Sequence, residues 1–96
     1  MGNITDTKES RIAQNFLLKS KDAFAAKIAR NKINSIDVSG CVLDEAYTAA
    51  ARFAVVGSVE TTSPTGKLKT YEYKATVDVK GKECSLASLE VLPLEE

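Results

Sequence analysis

The sequence of 96 residues has no histidine and no tryptophan, and it has two cysteines and two prolines. Histidine is the commonest general base and metal ligand among side chains, and both usual nucleophile triads depend on it. Its absence excludes hydrolysis by those triads. Two cysteines alone do not complete a zinc site, and the short spacings of zinc ligands do not occur. The acidic residues fall on polar faces of the predicted strands or in turns, which is typical of a solvated surface. We therefore expect no catalytic residues, no metal and no cofactor.

An excess of one charge is also lacking, since thirteen basic residues balance thirteen acidic ones. A neutral chain has no field that attracts nucleic acid or an anionic membrane. No apolar run approaches the ~18 residues of a membrane span, and the polar residues 1–6 do not resemble a signal peptide. We expect neither a nucleic-acid partner nor a membrane partner, and we expect a cytoplasmic location. A secreted mature domain with a start added by cloning is compatible with the same residues.

Two runs of alternating residues meet at a turn between positions 63 and 66, within residues 53–79. A period of two is typical of a strand with one buried face. A three-residue loop with Gly66 in the left-handed position keeps the two buried faces together. The predicted partners are Val59 with Tyr71, Gly57 with Tyr73, Val55 with Ala75, Phe53 with Val77, and Arg52 with Asp78.

Weaker patterns extend this hairpin on both sides. Asp6 followed by Glu9 indicates a capping box, and an apolar stripe follows it, so we predict a helix over about 6–20. Asp22 predicts a cap for a short second helix over about 22–29. Strands are expected at about 33–43, 46–62, 67–79 and 82–92. An alternative for the alanine-rich residues 46–54 is a helix capped by Asp44.

The outer strand pairs follow from the same alternation. A tight turn at 44–45 would place Val42 opposite Tyr47 and Ile36 opposite Phe53. A short turn after Val79 would place Val77 opposite Cys84 and Ala75 opposite Leu86. Leu89 and Val91 are one residue out of phase with Cys84 and Leu86. We therefore predict a bulge near residues 87–88. The bulge brings Leu89 opposite Tyr73 and Val91 opposite Tyr71. The fold class is α+β, with an N-terminal helix packed on one face of a four-stranded antiparallel meander, and residues 1–96 form a single domain.

Three groups of residues share their spacing with a known pattern: Val56, Gly57, Val59 and Glu60, then Thr62 and Gly66, then Cys84, Leu86, Leu89 and Val91. Together with Leu18-Lys19-Ser20, this spacing resembles that of small domains in uncharacterised bacterial proteins, across residues 17–91. The resemblance implies a helix followed by a four-stranded antiparallel meander and no particular activity. Pro64-Thr65 and Cys84 depart from the pattern, which has Asn and an aromatic residue there. The helix-on-sheet outline is also similar to that of cystatins, but their Gln-x-Val-x-Gly loop is absent.

These observations favour a non-catalytic binding or structural module that interacts with protein. The expected interaction surface comprises Ala54, Val56, Thr65, Lys67 and Lys69, as exposed apolar residues or turn residues. An alternative is a small-ligand or enzymatic pocket between helix and sheet, and a third possibility is an inhibitor that acts by occlusion. The expected pocket is lined by Tyr71, Tyr73 and Phe24.

Two expectations concern association and the thiols. Open sheet edges and the apolar outer residues favour a homodimer, formed through an edge or through that face. The predicted strand order separates Cys41 and Cys84 by roughly 14 Å, whereas a disulfide needs Cα atoms within about 7 Å. We expect two free thiols, with Cys84 facing the core and Cys41 facing solvent and reacting faster.

Overall fold

Residues 3–4, 7–28 and 30–93 are described by a computed structural model, and within them two helices pack on a five-stranded sheet. The elements in chain order are β1 (Asn3–Ile4), α1 (Lys8–Leu18), α2 (Lys21–Ala25), β2 (Lys32–Leu43), β3 (Ala51–Thr62), β4 (Leu68–Lys80) and β5 (Glu83–Pro93). The strands lie in the order of their numbers, and β2 to β5 form an antiparallel meander. The predicted α+β class is confirmed. The short β1, which runs parallel to β2 at Gly40 and Cys41, was not predicted.

The hairpin of β3 and β4 has an unbroken register. It runs from Ala51 opposite Val79 to Thr62 opposite Leu68, and all five predicted partner pairs are confirmed. At the turn, the Ser63 amide donates to the Lys67 carbonyl at 2.8 Å and the Gly66 amide donates to the Ser63 carbonyl at 2.9 Å. Gly66 has a φ of +88°, as the predicted three-residue loop requires.

The helices begin and end at residues other than those predicted. Thr7 is the N-cap of α1, and its side chain accepts a hydrogen bond from the Ser10 amide at 3.1 Å. The prediction that Asp6 caps this helix is therefore wrong, and Asp6 itself lies outside the described residues. Helix α2 follows Ser20 as its N-cap, so the predicted capping role of Asp22 is also wrong. Helix α2 ends at Ala25, short of the predicted 29, and residue 29 lies outside the described residues.

The connection between β2 and β3 is longer than the predicted tight turn. Strand β3 begins at Ala51 instead of 46, and residues 44–50 form a loop. The loop folds back so that the Tyr47 ring lies beside the sheet, where the Arg52 guanidinium is 3.6 Å from the ring centroid in a cation–π contact. The alternative of a helix over 46–54 is wrong as well, since 51–54 belong to β3.

A different register of β2 follows from this loop. Ile36 pairs with Val59 instead of Phe53, and Val42 pairs with Ala54 instead of Tyr47. A bulge at Ser39, between the pairs of Val38 and Gly40, then reverses the faces of the residues that follow. Cys41 is consequently buried in the core and Val42 is 48% exposed. The prediction that Cys41 faces solvent is wrong for this reason.

The pairing of β4 with β5 is displaced by two residues from the predicted one. Cys84 pairs with Val79, Leu86 with Val77, Leu89 with Ala75 and Val91 with Tyr73. The turn is tighter than predicted because Gly81, at a φ of +65°, lets Lys80 pair with Glu83. A slip of two residues keeps the same side chains facing the core. The predicted bulge is confirmed at Ala87, where the register shifts.

The core lies between the helices and one face of the sheet. From the helices it takes Ala13, Leu17 and Phe24, and from the sheet it takes Cys41, Phe53, Val55, Val59, Tyr73, Ala75, Val77 and Val79. These side chains are at most 3% exposed. The sheet therefore has an inner face, which the helices cover, and an opposite face, which we call the outer face.

Replacing Gly66 with alanine tests the turn. No heavy atom lies within 4 Å of the position that a Cβ at residue 66 would occupy, so the substitution causes no clash. The left-handed backbone alone should lower the free energy of unfolding by about 1 kcal/mol. Urea denaturation of Gly66→Ala measures this, and Lys67→Ala is the control for an exposed position beside the turn. Equal stability of the Gly66→Ala and wild-type proteins would contradict the predicted conformation.

Candidate functional site

The outer face carries exposed apolar side chains. Among the described residues the helices pack on the inner face, and the outer face has no covering layer. Val42 is 48% exposed, Val56 is 39% exposed and Leu92 is 54% exposed. Ala54, which pairs with Val42 and precedes Val56 by two residues on β3, is also exposed. Antiparallel sheets that face water usually present polar residues there. An apolar group in this position is therefore a candidate interaction surface.

A groove of about 500 Å³ crosses the middle of the outer face. Its lining residues are Ser39, Val56, Gly57, Ser58, Glu72, Tyr73, Lys74, Glu90 and Leu92. The strand register places Val56 and Glu90 on either side of Lys74, and Leu92 beside Glu72. The groove thus combines two large apolar side chains with charges of both signs.

Gly57 allows an unusually close approach beneath this groove. A Cβ at residue 57 would clash with the Asp37 carbonyl oxygen and would lie 2.8 Å from the Tyr73 hydroxyl oxygen. In its absence the Tyr73 hydroxyl donates a hydrogen bond to the Asp37 carbonyl at 2.8 Å. Burial, followed by the nearby Asp37 and Cys41, raises the pKa of Tyr73 well above its ordinary value of 10.0. Tyr73 is therefore a neutral donor that ties β4 to β2 across β3.

The three predicted pocket residues are placed in two different surroundings. Phe24 and Tyr73 are buried, and their rings make a T-shaped contact with centroids 5.0 Å apart. Such edge-to-face pairs are typical of a packed interior. Tyr71 is half-buried; its hydroxyl accepts a hydrogen bond from the Asn31 side chain at 3.3 Å, and the Lys69 ammonium lies 5.4 Å from its ring centroid. Phe24 and Tyr73 thus fill space between α2 and the sheet, and Tyr71 lies nearer the hairpin turn.

The predicted interaction residues also divide into separate groups. Ala54 and Val56 lie on the outer face. Lys69 pairs with the buried Thr61 and lies over Tyr71, on the side of the sheet that bears the helices. Thr65 and Lys67 are exposed at the turn itself.

Sequence reasoning missed several residues of the outer face. The alternation that placed Val91 inward already implied that Leu92 faces outward, so this residue was within reach of the pattern. The exposure of Val42 was not predictable from the pattern, because it depends on the bulge at Ser39 and this bulge has no signal in the local sequence. Glu72 and Glu90 were recognised as polar-face residues, but their position beside Lys74 around one groove depends on the strand pairing.

A second groove, of about 570 Å³, lies where the 44–50 loop meets the end of the sheet. Tyr47, Asp78, Lys80 and Cys84 are among its lining residues. Beside it, Arg52 makes a bidentate contact with Asp78, with Nε–Oδ1 and Nη2–Oδ2 distances of 2.7 and 2.9 Å. These hydrogen bonds lower the pKa of Asp78. Because the same Arg52 also stacks on Tyr47, this ion pair anchors the loop to the sheet.

Both cysteines are free thiols, as predicted. Cys41 is fully buried, and the Ser10 hydroxyl donates to its sulfur at 3.6 Å. Cys84 is partly exposed and lines the second groove. Burial raises the pKa of each thiol, with a smaller opposing effect of Ser10 at Cys41. The thiols are therefore protonated at neutral pH, which makes them weak nucleophiles.

The geometry defines a small α+β domain with helices on one sheet face and, on the other, a groove lined by apolar and charged side chains. Within the described part of the chain, no group of three or more Cys, Asp or Glu side chains is placed to hold a metal ion. No described helix is long and apolar enough to span a membrane. Comparisons with protein-family models, with curated proteins and with solved structures find no match.

The order of thiol reactivity should be the reverse of that expected from sequence. Cys84 should react first with a thiol reagent under native conditions, because Cys41 must wait for an opening of the structure. Mass spectrometry of peptides after timed alkylation measures the two rates. Alkylation in denaturant is the control, because both thiols are then equally accessible to the reagent. Faster labelling of Cys41 would contradict the bulge at Ser39.

The ion pair of Arg52 and Asp78 should make stability depend on pH. The folded state lowers the pKa of Asp78 below its ordinary value of 3.8, so the stabilisation is present above that value and is lost as the pH falls through the lower folded-state pKa. We expect Asp78→Asn to lose less stability than the wild type between about pH 5 and pH 2. Urea midpoints at a series of pH values measure this. Glu60→Gln controls for the loss of one negative charge, and parallel curves for Asp78→Asn and the wild type would contradict the prediction.

Proposed function

We propose that this protein is a non-catalytic binding module that contacts another protein through the outer face of its sheet. The observation that carries the proposal is the shared exposure of Val42, Val56 and Leu92 on the face opposite the helices. Single exposed apolar residues are common on protein surfaces and need no explanation. Three large ones on one face, two of which line one groove, are typical of the core of an interaction surface.

The polar residues around the groove fit the same proposal. Glu72, Lys74 and Glu90 lie between and beside the apolar residues, and Ser58 is half-buried among them. Protein interfaces combine an apolar centre with a polar and charged rim, and the charges contribute specificity more than affinity. Charges of both signs favour a partner surface that also carries both.

The sheet edges are less suited to binding than the face. The pairing of β2 with β3 has two register shifts and the pairing of β4 with β5 has one, whereas that of β3 with β4 has none. Bulges in edge strands are a common protection against the addition of a further strand. Strand β1 occupies part of the β2 edge, and Pro93 at the end of β5 lacks an amide donor. These features support the face over the edges as the interaction surface.

Photo-cross-linking tests the proposed function. We expect p-benzoylphenylalanine at position 56 to give covalent protein adducts after irradiation in the cells that produce the chain. Leu18 is the matched control position, because it is 38% exposed against 39% for Val56 and lies on α1, on the other side of the molecule. Gel electrophoresis and mass spectrometry compare the adducts. Equal yields from the two positions would contradict the proposal.

A further inference from the structure

We infer that the outer face binds a second copy of this chain, in a two-fold symmetric dimer in which each Val56 contacts the partner's Leu92. This inference rests on the proposed function, because it requires the outer face to be an interaction surface. It adds the identity of the partner and the contacts that hold the two copies together.

The positions of the two apolar residues carry the inference. Val56 on β3 pairs with Lys74, and Leu92 on β5 pairs with Glu72, so the two lie on opposite sides of β4 and at levels two residues apart. Tyr73 is midway between them. A two-fold interface requires that if residue i contacts residue j, then j contacts i. A two-fold axis that runs parallel to the sheet surface and passes over Tyr73 meets this requirement. It is perpendicular to the line from Val56 to Leu92.

The same axis also brings opposite charges together. With strands about 4.8 Å apart and side chains on one face about 6.8 Å apart along a strand, the operation moves Lys74 to within a few ångströms of the position of Glu90. Each copy would therefore supply a cation to the partner's Glu90 and receive one in return. The formal net charge of the chain is zero, so two copies approach without net repulsion.

The size of the face agrees with a weak dimer. The four long strands have 11 to 13 residues each. At the standard spacings they form a face of roughly 19 by 36 Å. The strands of the two copies would cross at about 70°, nearer to the orthogonal than to the aligned class of sheet packing, so the two faces overlap over about 400 Å². This is about half of the roughly 800 Å² that each partner contributes to an interface of standard size, and interfaces of this smaller class are weak.

Complementation between two variants tests this arrangement. Sedimentation equilibrium should show a dimer of the wild-type protein at micromolar concentrations. Val56→Glu and Leu92→Lys should each raise the dissociation constant of the homodimer by roughly tenfold or more, because each places two charges against apolar side chains. An equimolar mixture of the two variants should restore dimerisation, since it contains one Glu–Lys contact and one native contact between Val56 and Leu92.

The controls separate this inference from the proposed function. Leu18→Lys should leave the dissociation constant unchanged, and circular dichroism should show that every variant is folded. If either variant fails to fold, Val56→Lys with Leu92→Glu repeats the test with the charges exchanged. A monomeric wild type, dimeric single variants or a mixture without heterodimers would each overturn the inference. A monomeric wild type whose position 56 still cross-links to a different protein would overturn the inference and leave the proposed function standing.

Discussion

The uninterrupted pairing of β3 with β4 is the constraint on which the rest of this structure depends. Twelve consecutive pairs align the core residues of one strand with those of the other, from Phe53 beside Val77 to Val59 beside Tyr71. Because side chains alternate along a strand, a slip of one residue would exchange the buried and exposed sets completely. The cost of exposing that core makes the register unique, and the register then decides which side chains form each face of the sheet.

The two faces have different roles because of how the hairpin is joined to its neighbours. On the inner face, Tyr73 packs against Phe24 and bonds to the Asp37 carbonyl, which links α2, β4 and β2. Gly57 makes that link possible, since the Cβ of any other residue there would clash with the Asp37 carbonyl oxygen. Among the described residues, every buried side-chain nitrogen or oxygen atom has a hydrogen-bond partner, and the inner face carries the hydrophobic core. The proposed interaction surface lies on the opposite, outer face.

The distribution of irregularities supports the same division. The bulges at Ser39 and Ala87 lie in the outer strand pairs, where they bend the edges, and the central pair remains regular. The bulge at Ser39 has a further effect, because it buries Cys41 and exposes Val42. One inserted residue therefore adds an apolar side chain to the outer face while it protects the edge beside it. The exposure of Val42 supports the proposal that the protein associates through its outer face.

The sequence by itself determined the α+β class, the register of the central hairpin, the left-handed Gly66 and the bulge at Ala87. Each of these follows from local periodicity or from a turn residue with a restricted conformation, which neighbours in the chain are sufficient to specify. Tertiary structure decided the 44–50 loop, the register of β2, the burial of Cys41 and the position of β1. These depend on contacts between distant residues, such as Arg52 with Tyr47 and Ser10 with Cys41, whose energies have no signature in a local pattern. The groove was also decided by tertiary structure, because Val56 and Leu92 lie 36 positions apart in the chain and become neighbours only across β4.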